Sequence, residues 1–152
     1  MSALGSKPNA KSKYHQTKYI AEEYVIGSGL DYTIFRPSVI FGPEDEFVNM
    51  LAKMIKKLPL FPVIGKGDYR LQPIALEDVS TGFVRSLKLP YTIGKVYELG
   101  GLEKLRYTEL VDRIGEVLNK KVRKACLPIC LVRKMSRLMS LEFPEFLSKV
   151  KR

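Results

Sequence analysis

The sequence predicts an α/β protein, on two observations. Helix-like and strand-like segments alternate along nearly the whole chain, the pattern expected when helices cover a sheet. In addition, "DYTIFRPSVIFGP", residues 31–43, places a β-branched and aromatic run directly after a helix, as a buried parallel strand does. A chain of 152 residues buries roughly two-thirds of its unfolded surface, enough for a core.

Taken in order, residues 1–11 are small and polar and read as a loop. From 12 to 26, Tyr14, Thr17, Ala21, Tyr24 and Val25 recur at helical spacing, and Gly27 and Gly29 stop the helix. Residues 32–36 form a short strand broken by Pro37. "FVNMLAKMIKK", 47–57, is the next helix. Residues 58–74 are punctuated by Pro and Gly, with short strands near 62–64 and 69–74 and a hairpin-like "GKG" loop between them. "LEDVSTGFVRSLKL", 76–89, reads as a helix whose first-turn acids suit its dipole. "KVYELGG", 95–101, is a strand closed by glycines. Thr108 is the expected cap of "ELVDRIGEVLNK", with Leu110, Ile114 and Leu118 on one face. "VRKACLP", 122–128, reads as a strand. Leu131, Met135, Leu138 and Met139 then form an apolar stripe opposite Arg133, Lys134 and Arg137, ended by Pro144.

The net charge is +10, a balance that suits nucleic acid, an anionic membrane surface or an anionic cofactor. The cations are spread along the chain and thicken only in "NKKVRKA" and "VRKMSR". No nucleic-acid-binding signature accompanies them, so nucleic acid is not expected as a partner. Cys126 and Cys130 are spaced C-x3-C with no second pair and no nearby His, which argues against zinc. Two buried, reduced thiols are expected, and with them a cytoplasmic setting. The N-terminus lacks the apolar core of a signal peptide, and no apolar run reaches the length of a membrane span.

Tyr14 and Lys18 stand four apart, so a phenol and an ammonium share one helix face. Taken alone, the pair is either an acid–base couple or an ordinary surface pair. The only histidine, His15, points about 100° away around the helix and reads as incidental. "GSG" at 27–29 follows a helix and "GKG" at 65–67 lies in a loop. Neither has the strand–turn–helix setting of a phosphate cradle, and the strand and glycine-rich turn that open a doubly wound sheet are absent.

Four segments in order resemble the extended and atypical branches of the short-chain dehydrogenase/reductase superfamily. "YHQTK" fits Y-x-x-x-K, with Ser2 twelve positions before Tyr14. "FRPSVIFGP" looks like R-P-x-x-x-F/Y-G-P, "LQPIALEDVSTGF" is similar to V-x-D-V-A, and "VYELGGLEKLRYTELVDRI" resembles Y-x-L-x-G-x-x-x-L-T-x-x-E-L. The run is most similar to the atypical group that contains the nucleotide-binding accessory subunit of respiratory complex I. The resemblance covers residues 1 to about 125. It implies the C-terminal portion of a Rossmann-type fold with a small α/β substrate-side subdomain. The expected divisions are 1–43 with the Y-x-x-x-K helix and its strand, 44–130 for the subdomain, and 131–152 for a basic amphipathic helix and tail.

The resemblance also implies roles. Tyr14 is the acid/base, Lys18 its electrostatic partner and a ribose ligand, and Ser2 the donor to the substrate oxygen. The chemistry is consistent: a free tyrosine has a pKa of about 10, and a nearby ammonium favours its ionised form. The backbone from Pro37 through Ser38 and Val39 to Ile40 faces the nicotinamide. Arg36 and Arg70 lie toward the substrate, although a strand end and a solvated arginine account for them equally well. Asp78 is structural. The cofactor is NAD or NADP, at a site incomplete in this chain because the glycine-rich half is expected to precede Met1. The expected protein is the substrate-side part of an NAD(P)-dependent oxidoreductase or epimerase/dehydratase. In full-length form it takes a dinucleotide and a small molecule. A truncated sheet edge is expected to invite self-association or a protein partner. The alternative is a non-catalytic accessory protein of a respiratory-type complex. Membrane-surface association through 131–152 is the lesser reading.

Overall fold

The computed structural model describes residues 1–128 and 130; the stripe expected over 131–141 lies outside them. The elements run α1 (Lys13–Ile26), β1 (Thr33–Pro37), β2 (Ile40–Phe41), α2 (Phe47–Lys57), β3 (Phe61–Ile64), β4 (Arg70–Leu71), β5 (Ile74–Ala75), α3 (Leu76–Ser86), a 3-10 turn (Pro90–Thr92), β6 (Lys95–Leu99), β7 (Leu105–Arg106), α4 (Tyr107–Val117) and β8 (Lys124–Leu127). They form two compact units, each discontinuous in sequence. One combines Met1–Pro43 with Leu71–Lys104; the other combines Glu44–Arg70 with the chain from Leu105 onward.

In the first unit, β1 pairs in parallel with β6, from Thr33↔Lys95 to Pro37↔Leu99. The other side of β1 is also paired. Ser2 N–H donates to the Phe35 carbonyl at 2.8 Å, and Leu4 N–H to the Pro37 carbonyl at 2.9 Å. Residues 2–4 therefore run parallel to β1, which explains the apolar strand sequence: β1 is flanked on both sides. Ile34 and Phe35 are buried, and the Phe35 ring packs on Phe83 and Tyr97 at 4.5 and 5.8 Å between centroids. Beyond β1, β2 pairs in parallel with β5.

Helix α1 forms where its spacing predicts, but not with the expected face inward. Tyr14, Tyr24 and Val25 are exposed, and its one buried residue is Glu22. At the end of β6, Gly101 lies so close to the chain before β5 that an added Cβ would sit 1.9 Å from the Pro73 carbonyl oxygen. The Gln72 side chain donates to the Gly101 carbonyl at 2.7 Å across the same approach. Backbone cannot yield as a flexible side chain can. Gly101→Ala is therefore expected to destabilise the protein by about 1–3 kcal/mol, seen as a lower urea midpoint.

The second unit packs α2 and α4 around a parallel β3–β8 pair, registered from Phe61↔Lys124 to Ile64↔Leu127. Its core is Leu51, Ile55, Phe61, Val63, Leu110, Val111 and Ile114. Three sequence expectations are corrected here. The "GKG" turn does not close a hairpin, because the buried Phe61 and Val63 take β8, far along the chain, as their strand partner. Thr108 does not cap α4. Arg106 is the cap residue, and the Glu109 carboxylate accepts its backbone N–H at 2.7 Å. The Thr108 methyl instead crowds Gly67, which is buried with a φ of +66°. Lastly, Cys126 and Cys130 are exposed rather than buried; Cys126 lies on β8, which among the described residues pairs with β3 alone.

Two lysines tie this unit together. Lys124 pairs with Asp112 of α4. The Lys120 ammonium donates to the carbonyls of Ile55 at 2.6 Å and Lys56 at 3.0 Å, supplying donors to the free carbonyls at the end of α2. No described helix is long and apolar enough to cross a membrane.

Candidate functional site

The parallel alignment of residues 2–4, β1 and β6 puts their carboxyl ends on one edge, where open α/β sheets receive ligands. The chain leaves residues 2–4 by a tight turn in which Ser6 N–H donates to the Ala3 carbonyl at 3.1 Å. Gly5 occupies its third position at a φ of +89°, a left-handed value that glycine adopts without strain. A loop then leads to α1, whose first turn carries Tyr14.

On α1 the one-turn spacing does what the sequence suggests. The Lys18 ammonium lies 5.8 Å from the centroid of the Tyr14 ring, within cation–π range. Tyr14 is 42% exposed and open to a ligand. His15 stacks edge-on against Tyr14 at 5.3 Å.

Four residues beyond Lys18, the same face of the helix carries Glu22, which is 3% exposed. Arg36, on β1, grips it with two hydrogen bonds: Nε to Oε1 at 2.9 Å and Nη2 to Oε2 at 2.5 Å. A third guanidinium nitrogen lies 3.7 Å from Glu98 of β6. The guanidinium beside Glu22 holds its carboxyl below the usual carboxylate range, against the opposing effect of burial, and the Ser2 hydroxyl adds to the lowering by donating to it. Glu22 in turn holds Arg36 above its ordinary value. Arg36 thus faces a carboxylate of its own unit, a contact the sequence reading did not anticipate. A clue was available: one arginine inside an apolar strand needs a buried anion, and the preceding helix offers Glu22 and Glu23.

Ser2 belongs to the same cluster. It is buried, and its Oγ lies 3.1 Å from Ser6 Oγ. Ser6 directs its own proton to the Ala3 carbonyl at 2.7 Å, and an ionised Glu22 can only accept. Ser2 Oγ thus sits between Ser6 and the Glu22 carboxylate. The structure brings Tyr14 to Lys18, and Ser2 to Glu22 and Ser6.

Pro37 to Ile40 line the carboxyl edge. Ser38 N–H donates to the Leu99 carbonyl at 2.8 Å, and Ile74 N–H donates to the Val39 carbonyl at 2.9 Å. These backbone groups hold β1 and β2 to their neighbours. Arg70 lies in the second unit, exposed, beside the stacked rings of Tyr69 and Tyr107 at 5.0 Å. Asp78 is exposed in the first turn of α3, where it complements the dipole without a capping hydrogen bond at Ala75. At the amino end of β1, a cavity of about 430 Å³ is lined by Thr33, Phe35, Phe83, Val84 and Leu87; it contains neither Tyr14 nor Lys18.

Tyr14 and Lys18 offer a phenol and an ammonium on one helix face, donors of the kind that bind hydroxyl groups. The two glycine pairs do not suit a pyrophosphate. Gly27 and Gly29 follow the C-terminal end of α1, where the dipole repels an anion. Gly67 is filled, since an added Cβ would meet Val63 at 2.7 Å and Thr108 at 2.8 Å. Among the described residues His, Cys, Asp and Glu form no metal-binding cluster.

The sequence profile of the NAD dependent epimerase/dehydratase family matches residues 2–100. The chain is 31% identical over 137 residues to NADH dehydrogenase [ubiquinone] 1 alpha subcomplex subunit 9, mitochondrial, of Arabidopsis thaliana, an alignment spanning 90% of this chain and 34% of that protein. The chain thus spans about a third of that relative's length. In fold it is similar to UDP-glucose 4-epimerase of Thermotoga maritima, at a TM-score of 0.70 and 18% identity over 84% of this chain and 48% of that one. It is also similar to UDP-glucuronic acid 4-epimerase of Bacillus cereus in complex with UDP-glucuronic acid and NAD, at a TM-score of 0.67 and 18% identity over 84% and 47%. These likenesses bear out the Rossmann-type α/β fold.

Proposed function

Because the chain belongs to the NAD dependent epimerase/dehydratase family, we propose that it is the substrate-side portion of an NAD(P)-dependent oxidoreductase or epimerase/dehydratase. The observation that carries this reading is the Lys18 ammonium 5.8 Å from the Tyr14 ring, on the helix that enters at the carboxyl edge of a parallel sheet. A bound dinucleotide supplies hydride transfer. The chain's own residues do the rest. Tyr14 exchanges a proton with the substrate oxygen whose carbon gains or loses hydride. Lys18 stabilises the phenolate that results and donates to ribose hydroxyls. Glu22 and Arg36 hold the helix that carries both.

The test joins this chain to the nucleotide-binding half of a family member and follows NADH fluorescence. Saturable binding is expected, weakened roughly tenfold to a hundredfold by Lys18→Ala, as loss of a hydrogen bond from a charged group implies. Absence of any fluorescence change in the joined protein would sink the reading.

One observation favours a non-catalytic accessory role instead. Ser2 is buried, with its Oγ 3.1 Å from Ser6 Oγ, and is not presented at the surface to a substrate oxygen. The relative from Arabidopsis thaliana is by name a subunit of an NADH dehydrogenase, in keeping with that role. Equal performance of Tyr14→Phe and wild type in cells supports the accessory reading; loss of function supports catalysis.

A further inference from the structure

We propose that the end of the second unit formed by residues 56–60 and 120–123 docks on an anionic lipid surface. Two distant stretches of chain meet there. The Lys120 ammonium bonds the last carbonyls of α2, and Phe61 N–H donates to the Arg123 carbonyl at 2.7 Å. The junction brings Lys56 and Lys57 to Lys121 and Arg123, all exposed. Among the described residues none of these four is paired with a carboxylate. Lys56 and Lys57 complement the dipole at the end of α2, but Lys120 already bonds its last carbonyls, and clustered like charges repel one another.

Beside the cations the chain reads "KKLPLF", and Leu58 and Leu60 are 39% and 51% exposed. Pro59 stiffens the segment that presents them. Exposed leucines flanked by lysines match the chemistry of a bilayer interface, where apolar side chains enter the headgroup boundary and ammonium groups meet lipid phosphates. An acidic protein or a nucleic acid would account for the charge but not for the paired leucines. The site is separate from Tyr14 and Lys18, which lie in the other unit.

The test is co-sedimentation of the intact chain with phosphatidylcholine vesicles, with and without phosphatidylserine. Binding is expected only with phosphatidylserine and is expected to fall with salt. Lys56→Gln, Lys57→Gln and Lys121→Gln together should weaken it on the order of a hundredfold, at about fivefold per charge, while the chain still melts cooperatively. Leu58→Ser with Leu60→Ser should also weaken it. Binding that ignores phosphatidylserine, survives the triple substitution or is displaced by a single-stranded oligonucleotide overturns the proposal. So does an absence of binding.

Discussion

Glu22→Ala is expected to destabilise the protein by about 3–5 kcal/mol, the usual effect of removing one member of a buried ion pair. Glu22 is 3% exposed and Arg36 is its hydrogen-bonded partner. Without the carboxylate, the guanidinium, 20% exposed, is left half-buried beside Glu98 at 3.7 Å, and Ser2 loses an acceptor. Equilibrium urea unfolding measures the change; a loss under about 1 kcal/mol would make the pair no stronger than a surface salt bridge. The pH dependence sharpens the test. The Glu22 pKa is lowered in the folded state, by Arg36 first and Ser2 after it. Its contribution is therefore full above the ordinary carboxylate range, about 4.3, and fades as the pH falls through the lower folded value. Glu22→Gln should approach wild-type stability in acid and differ most at neutral pH. A gap that stays constant into acid would rule out an ionic role.

Phe61→Ala is expected to cost a similar 3–5 kcal/mol. Phe61 is 1% exposed, in the β3 strand that shares a core with Leu51 and Ile55 of α2 and Val111 of α4. A ring removed from such a core leaves space that the strand cannot fill, because β3 is fixed to β8 by backbone hydrogen bonds. Hydrogen exchange should show protection falling across α2, β3 and α4. Unchanged protection there would mean that the second unit does not hold together through this ring.

Much of this fold was legible because its signals are local. The 47–57 helix is placed to the residue, and the strands expected at 32–36 and within 95–101 form at 33–37 and 95–99, the first running through Pro37 rather than stopping before it. Pairing was not legible. β3 takes β8 some sixty residues away, and no glycine between 65 and 67 hints at that. The site was legible in part, since Tyr14 and Lys18 sit on consecutive turns of one helix and needed only the helical period. Glu22 was hidden by the usual rule that carboxylates face water. Its burial depends on Arg36 arriving from another element, and neither residue reveals the other alone. The same rule working in reverse misplaced the cysteines, whose apolar character predicts a buried position that β8 does not provide.

The order in which the chain leaves the ribosome follows from the interleaving of the two units. β1 is synthesised well before its partner β6, which begins at Lys95, after the whole Glu44–Arg70 stretch has been made. Until Leu99 has emerged, the β6 side of β1 is an apolar edge with nothing from its own chain to cover it, the state in which nascent chains aggregate or engage chaperones. Neither unit can be cloned as a single uninterrupted stretch. A gene cut at Pro43 separates β1 from the strand that completes it, so stable pieces of this protein are expected only from permuted or spliced designs that restore β1 to β6.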